Sequence, residues 1–187
     1  ENQKYIYYAC AETVEKADLL PQTERLKEEG YEILYLTDDI DEFALKMLYK
    51  YEDKEFRSVS DSDLGLENES EKEENKKRNE ENKDLLTFLK DALDGKVKEV
   101  RLSDKLKSHP VCLSSGGAIS LEMEKVLNAM PGQEQKIQAE RVLEINASHP
   151  VFTALQRLYA EDQEKLKQYA SLLYTQALLI EGISPED

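Results

Sequence analysis

The first regular pattern in the chain lies in residues 5–37, which read YIYYACAETVEKADLLPQTERLKEEGYEILYLT. Its two short, nearly continuous apolar runs, Tyr5 to Cys10 and Glu32 to Thr37, are typical of strands covered on both faces in a parallel sheet. Between them a helical stretch is favoured, because Pro21 suits a first helical turn and Gly30 stands where a helix stops. The order strand, helix, strand predicts a parallel pair.

A further helix is predicted after the second strand, beginning near Asp39 and Glu42. Its apolar positions recur at the spacing of one helical face and are Ile40, Phe43, Ala44, Met47 and Leu48. These elements predict a small α/β layer that ends near Leu66.

The composition changes sharply in residues 67–84, which hold eight acidic and five basic residues and no aliphatic side chain. Pairs such as Glu73 with Lys77 support a helix, and the segment continues into leucines at helical spacing that end at Gly95. We therefore predict one long helix that bridges two units and is frayed at its beginning.

Three half-buried strands are predicted after Gly95, around Val100, Val111 to Leu113, and Leu143, because apolar and polar residues alternate or form a short apolar run there. Between the second and third strands a helix is predicted, with Leu121 outside its apolar stripe. The stripe consists of Ile119, Met123, Val126, Leu127 and Met130.

Two helices are predicted at the end of the chain, one opened by Pro150 and a longer one from about Glu164 to Glu181. Leu172 and Leu179 widen the apolar arc of the longer helix, and an arc this wide favours a helix bundle or a subunit interface. The main stripe consists of Leu166, Tyr169, Leu173, Ala177 and Ile180. The predicted fold class is thus α+β or α/β, with a first unit at residues 1–66 and a second at 67–187.

Charge and composition exclude several classes of function. The net charge of −15 disfavours nucleic acid and anionic membranes, whose binding depends on Lys and Arg. No apolar run approaches the ~20 residues of a membrane-spanning helix, and the chain does not open on a basic and apolar leader. Cys10 and Cys112 lie far apart, as expected of thiols in a reducing compartment, so we expect a cytoplasmic protein.

Signals for chemistry are weak. His109 and His149 are too few to predict a metal site, and no nucleotide-binding loop or Cys-x-x-Cys motif occurs, so no cofactor is predicted in this segment. Ser114 and Ser115 precede Gly116-Gly117 in what we interpret as a strand-to-helix turn. The alternative is a small α/β hydrolase that uses Ser114 or Ser115 with His109 or His149.

The apolar, Met-containing helix at residues 119–130 has two interpretations. Such a helix is more often ordinary core, because flexible Met side chains fill irregular gaps. The off-stripe Leu121 and the preceding Gly-Gly favour a partly exposed helix, which suits loose contact with many apolar partners.

Long, ordered stretches of the chain resemble the ninety-kilodalton heat-shock chaperone family, and most closely its bacterial branch. They are YIYYACAETVEKADLLPQTERLKEEGYEILYLTDDIDEFALKML (5–48), KEFRSVSDSDLGLE (54–67), VKEVRLSDKLKSHPVCL (97–113), RVLEINASHPV (141–151) and LLYTQALLIEGISPED (172–187). The resemblance implies that residues 1–66 are the last α/β layer of the family's middle domain. It implies that residues 67–187 are a connecting helix and the C-terminal dimerisation domain.

This resemblance implies a stress-response chaperone that binds partly folded client proteins. In the whole protein it implies an ATP-driven homodimer that uses ATP and Mg and has a DnaK-type chaperone as a further partner. It implies that this segment is not an enzyme and has no ATPase site. The client-binding residues it implies are Phe43, Lys46, Ile119, Met123, Val126 and Leu127.

The same resemblance implies that Leu166, Tyr169, Leu173, Ala177 and Ile180 form part of the dimer interface. The family continues beyond SPED (184–187) with a last helix of the dimer bundle. Since each buried Leu-sized side chain contributes roughly 1.5–3 kcal/mol, the loss of several such anchors predicts a monomer or a weak dimer for this chain.

Overall fold

The first of two sheets contains strands β1 (Tyr5–Cys10), β2 (Ile33–Leu36), β3 (Lys50–Tyr51) and β4 (Lys54–Ser58) in the order β2-β1-β4-β3. The structure is a computed structural model that describes residues 3–132 and 136–185. Strand β1 pairs in parallel with both β2 and β4, and β3 and β4 form an antiparallel hairpin. The predicted parallel pair is confirmed, whereas β4 was missed because its sequence, KEFRS, has a single apolar residue.

Short helices connect and flank the strands of this sheet. The predicted helix between β1 and β2 is divided into α1 (Val14–Asp18), a 3-10 turn (Pro21–Thr23) and α2 (Glu24–Glu28). Helix α3 (Asp41–Leu48) follows β2, close to where it was predicted. Tyr5, Tyr7, Ala9, Leu26 and Val59 are among the residues of the first apolar core.

The prediction of one long bridging helix is wrong. The segment forms α4 (Glu69–Glu81) and α5 (Lys83–Ala92), which meet at Asn82. The Asn82 side chain donates to the Arg78 carbonyl at 2.8 Å, and such local bonding by Asn competes with helix continuation. The beginning of α4 is closed by a capping box, in which Asn68 and Glu71 satisfy each other's backbone N–H groups.

The second sheet contains the three predicted strands, β5 (Glu99–Leu102), β6 (Val111–Ser115) and β7 (Arg141–Ile145), in the order β5-β7-β6. Strand β7 runs parallel to β5 and antiparallel to β6. The prediction of half-buried strands is wrong for β6 and β7, in which every residue is buried. One face belongs to the second apolar core, and the other carries Ser114 and Glu144, which bond to the buried Lys105.

The remaining helices are α6 (Leu121–Ala129), α7 (Pro150–Glu161) and α8 (Gln163–Ile180). Helices α5, α7 and α8 supply leucines to the second core, where they cover the sheet. Pro150 stands at the first turn of α7, as predicted. Within the part of the chain that the structure describes, no helix is long and apolar enough to cross a membrane.

Candidate functional site

Helix α6 leaves its predicted apolar stripe partly accessible to solvent. Its N-cap is Ser120, whose side chain accepts from the Met123 N–H at 3.0 Å. The residues that α6 buries are Leu121, which was placed outside the stripe, and Glu124, which bonds to Arg141. The fully buried positions of α6 are therefore not the ones that the apolar spacing indicated.

The stripe residues Met123, Val126 and Leu127 are half-buried, and so is Ile119 just before the helix. Ile119 packs against the second core, whereas the other three appear in neither apolar core of the described residues. These three side chains are therefore partly accessible on the surface, as a contact site for foreign apolar chains requires.

Helix α3 also presents its apolar residues to solvent. Its one buried residue is Glu42, whose carboxylate accepts from the Tyr8 hydroxyl at 3.1 Å and from the Ser120 hydroxyl. Burial raises the pKa of Glu42, and these hydrogen bonds offset that effect only in part. The exposed apolar residues of α3 and its N-cap are Ile40, the N-cap, at 68%, Met47 at 88% and Leu48 at 57% exposure.

The two predicted client-binding segments lie on neighbouring helices. Helix α3 contacts α6, and the bond between Glu42 and Ser120 joins the two helix beginnings. Phe43 is half-buried and Lys46 is exposed. We call the accessible apolar residues of both helices the α3–α6 surface; they are Ile40, Phe43, Met47, Leu48, Met123, Val126 and Leu127.

This surface is chemically suited to adaptable apolar contact. It combines large aliphatic side chains with two unbranched methionines, which adjust their shape to different partners. The sequence did not single out Ile40, Met47 or Leu48 as binding residues. Their helical spacing is the same whether a stripe faces the core or the solvent, so the sequence gives no signal that separates the two cases.

The predicted dimer-interface residues of α8 lie mostly in the core of their own chain. Leu166, Leu173 and Ala177 are buried there, because their side of α8 faces β6 and α5. Ile180 is half-buried against the first core, and Tyr169 is 36% exposed. The exposed apolar stripe of α8 consists instead of Tyr169, Leu172 and Leu179.

The hydrolase alternative has no support in the structure, which separates its proposed partners. The Ser114 hydroxyl is fully buried between Lys105 and Glu144, and the Ser115 hydroxyl donates to the Ile119 carbonyl at 2.7 Å. His109 Nδ1 lies 2.7 Å from Glu24 Oε1. His149 Nδ1 caps α7 by accepting from the Val151 N–H at 3.1 Å. Neither histidine has a described contact with either serine.

Residues 3–132 and 136–185 contain no group of three or more His, Cys, Asp and Glu side chains that could hold a metal ion. The polar clusters of the described chain are ion pairs and hydrogen-bond networks. The arrangement supports binding through apolar contact.

Comparison with known proteins identifies a family. Residues 1–187 match the family model described as Hsp90 protein. The chain is 59% identical to the chaperone protein HtpG of Clostridium acetobutylicum, 57% to that of Oceanobacillus iheyensis and 54% to that of Bacillus licheniformis. Each match covers 100% of this chain and 30% of the relative, so the chain spans about 30% of the length of these curated relatives.

One expectation is corrected by these matches. We expected that the chain is not an enzyme and holds no ATPase site. The chain instead matches the Hsp90 family from residue 1 to 187, together with 30% of each relative. These matches do not support the exclusion of an ATPase site, so our expectation that the chain is not an enzyme is wrong.

Proposed function

The chain belongs to the Hsp90 family, and from this premise we propose that it binds partly folded client proteins through the α3–α6 surface. The observation that carries the proposal is that Met123, Val126 and Leu127 on α6 are only half-buried and belong to neither apolar core, beside the exposed apolar residues of α3. Apolar patches of this kind mark interaction sites, because exposed apolar area is otherwise unfavourable in water.

In this proposal binding involves no chemical step. An unfolded segment covers the side chains of the α3–α6 surface and so removes its own apolar groups from water. Full burial of a Leu- or Met-sized side chain contributes roughly 1.5–3 kcal/mol, whereas association costs on the order of 4–15 kcal/mol. A few anchors therefore give weak, reversible binding, which suits a protein that releases its clients.

We extend the proposal to the whole protein. Residues 1–66 form the last α/β layer of a middle domain, and residues 67–187 form the connecting helices and a C-terminal dimerisation domain. The whole protein is a cytoplasmic homodimer that uses ATP with Mg and has a DnaK-type chaperone as a partner. Family membership and the name chaperone, carried by each relative, support these proposals.

The test of client binding replaces Met123 and Leu127 by Asp in one variant. The probe is a fluorescently labelled, reduced and carboxymethylated protein that stays unfolded, and the readout is fluorescence anisotropy. We expect at least about tenfold weaker binding, because two apolar anchors are replaced by charges. Far-UV circular dichroism must remain that of the parent chain.

The matched control is Leu172→Asp with Leu179→Asp on α8. Both positions are 61% exposed, so this variant adds the same charge and removes at least as much surface apolar area outside the α3–α6 surface. We expect its affinity to stay within about twofold of the parent chain, the variation usual for surface changes of roughly 0.5 kcal/mol. Equal weakening in both variants, or none in the α6 variant, would remove α6 from the site.

A further inference from the structure

The connection that follows β4 belongs to both sheets. Strand β4 pairs with β1 as far as Ser58, opposite Tyr8. Only two residues later, Ser115 N–H of β6 donates to the Ser60 carbonyl at 2.8 Å, and Ser62 N–H donates to the Ser115 carbonyl at 3.2 Å. We call residues Ser60–Ser62 the strap, because they add a short parallel pairing to the free edge of β6.

A buried lysine holds the middle of the strap. Lys105 is fully buried, and its ammonium group has an acceptor for each of its three hydrogens. These acceptors are Glu144 Oε1 at 3.1 Å, Ser114 Oγ at 2.9 Å and the Asp61 carbonyl of the strap at 2.5 Å. The coordination of this charge is therefore complete only when the strap is in place.

Arg101 holds the next residue of the strap in the same way. Its guanidinium donates to Glu144 Oε1 at 2.8 Å and to the Ser62 carbonyl. Burial acts to raise the pKa of Glu144, but Lys105 and Arg101 more than offset that effect and hold the pKa at about 2. Glu144 is thus a charged carboxylate that anchors both cations from the second sheet.

Release of the strap would leave two buried or half-buried cations without one acceptor each. Unsatisfied donors in a buried site are unfavourable, and charged donors more so than neutral ones. The amides and carbonyls of the strap would lose their hydrogen-bond partners at the same time, so a partly released strap is also unfavourable in free energy. We propose that the strap is a conformational lock, held by Lys105 and Arg101, that fixes the first sheet against the second.

The contacts that form this lock do not rest on the proposed client binding. Its consequence is that α3, which lies on the first sheet's side, and α6, which lies on the second, keep one relative position. An exposed ion pair also crosses between the two parts, from Lys107 Nζ to Glu28 Oε2 at 2.7 Å. It provides a matched control, because exposed ion pairs contribute little to stability.

The test is hydrogen exchange of individual amides, followed by nuclear magnetic resonance on the whole 187-residue chain. In the parent chain we expect the Ser62 and Ser115 amides to be protected like the Leu143 amide in the centre of the sheet. In Arg101→Gln we expect the two strap amides to exchange at least about tenfold faster, with Leu143 unchanged. In Lys107→Gln all three amides should keep their parent rates.

Three results would overturn the lock. They are fast exchange of Ser62 and Ser115 in the parent chain, unchanged exchange in Arg101→Gln, and equal acceleration at Leu143, which would indicate lower global stability instead. Lys105→Met carries the same expectation if circular dichroism shows that it folds. If it does not fold, Arg101→Gln decides, because Arg101 is partly exposed and its loss leaves Glu144 paired with Lys105.

Discussion

Glu181, directly after α8, is a buried carboxylate in the region where the first and second sheets meet, which we call the joint. Its Oε1 accepts from Gln22 Nε2 at 2.5 Å, and the same amide nitrogen donates to the Leu113 carbonyl at 2.7 Å. Burial raises the pKa of Glu181 to about 7, against the opposing effects of the Gln22 bond and the Lys125 charge. The fold therefore favours the protonated carboxyl.

The change Glu181→Gln tests this residue. The folded-state pKa lies above the ordinary 4.5, so the stabilisation by the bound proton is complete below about pH 4.5 and is lost as the pH rises through about 7. The neutral amide should equal the parent chain at pH 4.5 and exceed its free energy of unfolding above pH 7 by on the order of 2–3 kcal/mol. Urea unfolding at a series of pH values measures the difference.

A suitable control is Glu164→Gln at the other end of α8, which removes an exposed carboxylate that pairs with Lys167. It should show no gain that grows between pH 4.5 and 7. A Glu181→Gln variant whose advantage is the same at every pH would show that Glu181 does not titrate in this window.

Buried charged residues were beyond prediction from sequence. Glu42, Glu124 and Glu144 are buried, but they are three among forty acidic residues whose local sequences look alike. Each is buried because partners from distant positions meet it, such as Ser120 for Glu42 and Lys105 for Glu144. Such pairings become visible only when the fold has brought the elements together.

At the scale of the element, α8 offers a direct comparison of its two faces. Leu173 is buried in the second core, and its neighbour Leu172 is 61% exposed. We expect Leu173→Ala to lower the free energy of unfolding by roughly 2–5 kcal/mol, because it leaves a cavity. Leu172→Ala should change it by less than about 0.5 kcal/mol. Urea unfolding of both variants measures the contrast, and similar losses would show that α8 does not face the core through Leu173.

Strands that contain a continuous apolar run were predicted well. Helices whose apolar positions extend over a wide arc were predicted less well, because either side of the arc could face the core. The runs around Tyr7, Leu34 and Cys112 correctly predicted β1, β2 and β6. In α6 the spacing correctly predicted a helix but not the side that faces the core. In α8 most of the predicted stripe does face the core, and the residues that widened the arc, Leu172 and Leu179, are exposed. Leu121 and Leu172 illustrate this limit, because tertiary contacts decide which side of an apolar arc is covered.

At the scale of the whole molecule, the chain should be a monomer or a weak dimer. The apolar residues that α8 leaves exposed are Tyr169, Leu172 and Leu179, since Leu166, Leu173 and Ala177 are used by its own core. Three side chains on one helix fall short of the roughly 800 Å² per partner that stable interfaces bury. Sedimentation velocity at micromolar concentration measures this, and a stable dimer there would contradict it.

The family could be predicted from sequence because the resemblance extends through long, ordered stretches such as residues 30–43. The match of residues 1–187 to the Hsp90 family confirms that prediction. The joint between the sheets could not be predicted, because Ser60, Lys105 and Glu144 are polar residues without a recognisable motif. Their arrangement follows from the path of the chain after β4, where Ser60 and Ser62 pair with Ser115 of β6.

The joint between the two sheets combines polar contacts with apolar packing. Glu24 accepts from the Lys107 N–H, Gln22 donates to the Leu113 carbonyl, and Lys105 donates to the Asp61 carbonyl. Ile180 of α8 packs against the first core. Hydrogen bonds are directional, whereas apolar contact is not, so the polar part of the joint specifies one orientation of the two sheets more sharply than apolar packing alone would.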